Sequence, residues 1–158
     1  MVLAAFILIS STALFFFYLQ AACQRALNTK FEQEYFRSIV NANRLEFLSL
    51  RKELEEYGHA VDYGRLRMTL KCDFLALTYL LKNAANVNQR YSRDESLLML
   101  YFRALFVIVS ARRIFHLSEK KGVLKLTAIL EYFANVVGQR VNQYRFGNLA
   151  PSDYLLEL

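Results

Sequence analysis

Residues 1–22 read MVLAAFILISSTALFFFYLQAA and contain no charged side chain, no Gly and no Pro. A helix of about 20 apolar residues covers the roughly 30 Å hydrocarbon core of a bilayer. Residues 1–23 are therefore read as a transmembrane anchor, and the remaining chain has to be placed relative to a membrane. A cleaved signal peptide fits less well. No Lys or Arg precedes the apolar stretch, which is longer than the usual hydrophobic region of a signal. Gln20-Ala21-Ala22-Cys23 has the small residues and the cysteine of a lipoprotein processing site, but Gln20 stands where an aliphatic residue is needed.

Flanking charge gives an orientation. Arg25, Lys30, Arg37 and Arg44 follow the anchor, and basic residues are retained on the cytoplasmic side. The expectation is a single pass with the amino end outside and the following domain in the cytoplasm. The net charge of +6 lies wholly outside the anchor, which suits a bilayer with anionic headgroups. Within the anchor, Ser10, Ser11 and Thr12 fall near the bilayer middle. Their hydroxyls can return to carbonyls one turn earlier, or mark a face packed on another membrane helix. Phe15, Phe16 and Tyr18 crowd the exit end, as in an aromatic belt.

Beyond the anchor, helix breakers are scarce: one Pro, Pro151, and five Gly, none before Gly58. No β-branched residues alternate as strands require. The predicted class is all-α: one N-terminal transmembrane helix continuing into an antiparallel four-helix-bundle-like domain over residues 24–147. Helices are expected over about 24–57, 62–86, 93–117 and 119–146. The first leaves the anchor without a break, Asn28-Thr29 being its one plausible interruption, and Gly58 ends it. Asp62 is a good N-cap for the second. Ser92-Arg93-Asp94-Glu95 has the form of a capping box for the third, and Ser118 begins the fourth. In the fourth, Val123, Leu126, Leu130, Phe133, Val137, Val141 and Tyr144 form a stripe, with Lys125, Asn135, Gln139 and Asn142 outside.

The third helix differs from the others. Leu97 to Ala111 reads LLMLYFRALFVIVSA, apolar on all sides apart from Arg103 and Ser110. A helix apolar all round is a buried one, so the reading places it at the domain centre; contact with lipid or a partner subunit is the alternative. A full crossing is disfavoured, because Arg103 at its middle would cost about 2.5–3.5 kcal/mol. Arg112, Arg113 and His116 close the helix, where cations complement its dipole. The tail, residues 148–158, carries Tyr154, Leu155 and Leu156 and is too apolar for a solvated tail. It is expected to dock on its own bundle or on a neighbour.

Chemistry is sparse. The chain has two His, His59 and His116, and two Cys, Cys23 and Cys72. CxxC, HExxH, paired ExxH and Gly-rich phosphate loops are absent, so no catalytic residue, metal site or cofactor is expected. His116 is the one weak candidate for ligating a haem or a chlorophyll magnesium. Cys23 fits a small buried thiol better than a lipidation site. The basic clusters fall near helix ends, not on one exposed face, so nucleic acid is not expected as a partner.

The function this predicts is a non-catalytic, membrane-anchored accessory or scaffold subunit of a larger membrane protein complex. A respiratory or photosynthetic complex is a natural host. Candidate contacts to partners or lipid are Ser10, Ser11, Thr12, Phe15, Phe16, Tyr18, Arg25, Arg103, Arg112, Arg113, Tyr154, Leu155 and Leu156. Two alternatives stand beside it: a cofactor-binding or electron-transfer subunit using a lone His, and a membrane-tethered cytoplasmic adaptor or regulator.

Overall fold

A computed structural model describes residues 2–29, 31, 35–57, 62–83, 91–114 and 120–147, without the side chains of residues 2, 57, 113–114 and 143–147. The described residues form α1 (Val2–Leu27), α2 (Phe36–Asn43), α3 (Phe47–Tyr57), α4 (Tyr63–Asn83), α5 (Arg93–Ile114) and α6 (Lys120–Gly147). The fold is all-α. Two helix starts follow directly from local sequence. Asp62 Oδ1 accepts the Gly64 N–H at 3.0 Å and holds the first turn of α4. At α5 both halves of the capping box close: Ser92 Oγ accepts the Glu95 N–H at 3.2 Å, and Glu95 Oε2 accepts the Ser92 N–H at 3.0 Å.

The single rod expected over residues 24–57 is instead three helices. Helix α1 ends at Leu27, where the N–H groups of Asn28 and Thr29 still bond back to Gln24 and Ala26. A second break falls at Arg44, whose φ of 52° and ψ of 42° are left-handed. The Leu45 N–H donates to the Val40 carbonyl at 3.0 Å, and Leu45 is buried. That is a Schellman closure, normally built on Gly, so the sequence hides it.

Neither short helix caps itself. Asn135 Oδ1, on α6, accepts the N–H groups of Tyr35 and Phe36, both at 2.9 Å, at the start of α2. Asp73 Oδ2, on α4, accepts those of Glu46 and Phe47, at 3.0 and 2.8 Å, at the start of α3. Orphan amides at a helix start need such acceptors, and here the long helices supply them. A continuous rod would have left the bundle; the two breaks fold it back onto α6.

The four long positions alternate in direction. Phe74 lies against Phe133, and Arg140 donates to the Leu81 carbonyl, so α4 and α6 run the same way. Glu95 pairs with Arg140 and Val109 lies against Gly122, so α5 runs opposite. Arg65 pairs with Glu53 while Asp73 meets Phe47, so α3 is antiparallel to α4. Helices α2 and α3 together fill the position assigned to one rod. A Cβ on Gly138 would overlap the Tyr35 side chain, so the missing side chain lets α2 approach α6 closely.

The centre is α6, not α5. Helix α6 touches every other helix, and Val123, Leu126, Ile129, Leu130, Phe133 and Ala134 are fully buried. Two of its polar residues go inside with partners: Asn135 caps α2, and the Thr127 hydroxyl donates to the Leu124 carbonyl at 2.9 Å. Helix α5 buries Leu98, Tyr101, Phe102, Leu105 and Val109 but leaves Leu100, Val107 and Ile108 exposed. Its all-round apolar surface therefore serves two faces, one in the core and one outside it.

Candidate interaction surfaces

Helix α1 has two parts. Leu19, Cys23 and Ala26, at helical spacing, are buried where α1 packs on α5 and α6. The Cys23 thiol lies 3.6 Å from the Leu97 carbonyl and is inaccessible, as the small-buried-thiol reading has it. Residues 3–18 are exposed apart from half-buried Ser10. At 1.5 Å per residue that projecting part is about 24 Å long. Among the described helices α1 alone is long and apolar enough to cross a membrane, over Leu3–Leu27. Ser11, Thr12, Phe15, Phe16 and Tyr18 lie on the projecting part. The Thr12 hydroxyl donates to the Leu8 carbonyl at 2.7 Å, the local bond that makes a hydroxyl tolerable in an apolar helix. Arg25 is exposed between the buried Cys23 and Ala26.

Beside the base of α1, one arginine ties three helices. Arg140 pairs with Glu95 at 2.6 Å and donates to the Leu81 carbonyl at 3.0 Å. Glu95 is thus both the capping residue of α5 and the partner of a largely buried guanidinium. The arrangement fixes the end of the bundle from which α1 projects. In the middle of α4, burial pushes the Asp73 carboxyl above the ordinary carboxylate range, while the Phe47 and Glu46 amides pull it back.

The second apolar surface lies between α4 and α5. Phe74 and Phe102 stack with centroids 4.1 Å apart and planes within 2°, and Phe106 continues the row at 6.1 Å. With Leu75 and Val107 they line a groove of about 280 Å³ rimmed by Lys71 and Arg103. The Arg67 guanidinium sits 5.9 Å from the Phe106 ring centroid, a cation–π contact. No carboxylate among the described residues pairs with Lys71 or Arg103. Met68 and Tyr79 on α4 and Leu100 on α5 extend the exposed apolar surface. Val107, at the groove wall, is 66% exposed.

A third cleft, about 590 Å³, lies between α2, α3 and α6. Arg51 bridges it, bonding Glu131 at 2.8 Å and Glu55 at 3.2 Å. Charges of both signs already pair there, which a solvated helix junction explains.

Of the residues singled out by sequence, Arg103 marks the groove rim, whereas Arg112 is exposed near the end of α5. The side chain of Arg113, and His116, Tyr154, Leu155 and Leu156, lie outside the described residues. Sequence reasoning missed Lys71 and Leu75 as the other wall of the groove. The available signal was Met68, Leu75 and Tyr79 recurring opposite the buried Leu66, Leu70 and Leu77. Among the described residues no group of three His, Cys, Asp or Glu side chains could hold a metal ion. Compared with protein-family models, curated proteins and solved structures, the chain matches none.

Proposed function

We propose that this chain is a non-catalytic, membrane-anchored accessory or scaffold subunit of a larger membrane complex. The observation that carries the reading is the display of two apolar surfaces with different chemistry. The projecting part of α1 is apolar around its circumference, which suits lipid. The α4–α5 face is an apolar groove with cationic rims, which suits a protein segment carrying carboxylates. Exposed apolar patches of this kind mark interaction sites.

The joint between them supports a holding role. Leu19, Cys23 and Ala26 fasten α1 to the bundle, and fully burying a leucine alone contributes about 1.5–3 kcal/mol. A tether with a fixed joint sets the height and rotation of the groove above the bilayer. Arg25, Arg37 and Arg44 on the exit side favour a cytoplasmic bundle and an outside amino end.

The test is extraction of the full chain from its native membrane in mild detergent, followed by native electrophoresis. Co-migration with larger membrane subunits is the expected result. A stable lone monomer that retains nothing would overturn the proposal.

A further inference from the structure

The groove between α4 and α5 has an apolar floor of Phe74, Leu75, Phe102, Phe106 and Val107, and cations at its rim. Its complement is a short run of apolar side chains flanked by carboxylates. This chain contains one. Residues 153–158 read Asp-Tyr-Leu-Leu-Glu-Leu, and residues 148–158 hold two acidic side chains and no basic one. We propose that the α4–α5 groove is the docking site of the chain's own segment Asp153–Leu158. The apolar Tyr154, Leu155 and Leu156 fill the groove, and Asp153 and Glu157 meet Lys71 and Arg103. This rests on the reading of the α4–α5 face as a docking surface and names its occupant within the chain itself.

Reach allows it. Arg140 bonds the Leu81 carbonyl, so those two residues stand at the same height in the bundle. Gly147 lies seven residues further along α6, about 10 Å higher at the helical rise. Leu75 lies six residues back along α4, about 9 Å lower. The tail must therefore return roughly 20–25 Å, allowing for the width of one helix. Residues 148–153 in extended form span about 20 Å, and each further residue adds about 3.3 Å. Tyr154 to Leu158 can thus lie along the groove, while Pro151 keeps the linker from continuing α6. Charge selects this face among those within reach. The α2–α3–α6 cleft also carries cations, Arg37, Arg51 and Lys52, but two carboxylates of its own, Glu55 and Glu131, line it and would face Asp153 and Glu157. By contrast, no carboxylate lines the α4–α5 groove, and none among the described residues pairs with Lys71 or Arg103.

The experiment uses the full chain purified in mild detergent, with Cys72→Ser to remove the exposed thiol and Val107→Cys to place one in the groove wall. Cys23 is buried and does not compete. Removing residues 148–158 should speed alkylation of the Val107→Cys thiol by about tenfold, as for a site that is open a tenth of the time. Adding Leu156→Cys should give an intrachain disulfide at high dilution. Lys71→Glu with Arg103→Glu should abolish that disulfide, and Asp153→Lys with Glu157→Lys should restore it. Unchanged alkylation after truncation overturns the proposal. Disulfides formed only between chains also overturn it, and point to a second copy as the occupant. Co-migration with larger subunits is measured on the unaltered chain, so loss of the cross-link with co-migration intact removes the tail and leaves the subunit role standing.

Discussion

Helices α5 and α6 exchange the places their compositions suggest. The one that is apolar on every side shows a stripe to the outside, and the one with regularly spaced polar residues occupies the centre. Burial in this fold is decided by partners rather than by polarity alone. Asn135 goes inside because two backbone amides need its oxygen, and an acceptor so placed satisfies groups that would otherwise be orphaned. Val107 and Leu100 stay outside because none of the described helices covers them. An apolar residue left outside on a well-packed helix is then a statement about a neighbour.

The largest effect is expected at Arg140, which holds the joint between α4, α5 and α6. Arg140→Met leaves Glu95 buried and uncompensated, for an expected loss of about 3–5 kcal/mol in unfolding free energy. Denaturant titration measures it, and Glu95→Gln in the same background should recover part of the loss, since a neutral side chain needs no counter-charge. Next in size is Asn135→Ala. It strands the Tyr35 and Phe36 amides and should cost about 1–3 kcal/mol, with hydrogen exchange quickening in α2 before the rest of the bundle.

A pH test isolates the matching cap on α3. Because burial raises the folded Asp73 pKa above its ordinary value of 3.8, the folded state holds the proton more tightly than the unfolded chain. The contribution of this group is therefore fully present below the unfolded value and declines as pH rises through the folded one. Asp73→Asn should remove that declining component from a stability-against-pH curve while keeping the oxygen that accepts both amides. On the α5 side the effects on folding are smallest. Val107→Gln should change stability by no more than about 0.5 kcal/mol, yet reduce co-migration with larger subunits. A large loss of stability there would mean the stripe belongs to the core after all.

Much of the architecture is legible in the sequence because its signals are local. The Ser92–Glu95 box and the Asp62 cap are spelled within four residues and close as written. The end of α1 falls at Asn28-Thr29, the one interruption the sequence offers, but the break at Arg44 is not legible, since no Gly or Pro marks it. The acceptors that start α2 and α3 also lie far along the chain: Asn135 stands about 100 residues from the amides it caps. The groove was half legible. Arg103 drew notice as the lone charge in an apolar run, but its opposite wall on α4 depends on which helices become neighbours, and no local pattern encodes that.

The proposed role requires α1 to project into lipid while its base stays fastened to the bundle. Alkaline carbonate extraction of membranes from cells making the full chain tests this most directly. The protein should remain in the membrane pellet, and replacing Ile9 and Leu14 with Asp should move it to the supernatant. Release of the unaltered chain by carbonate alone would mean that α1 does not span the bilayer, and would overturn the anchored role.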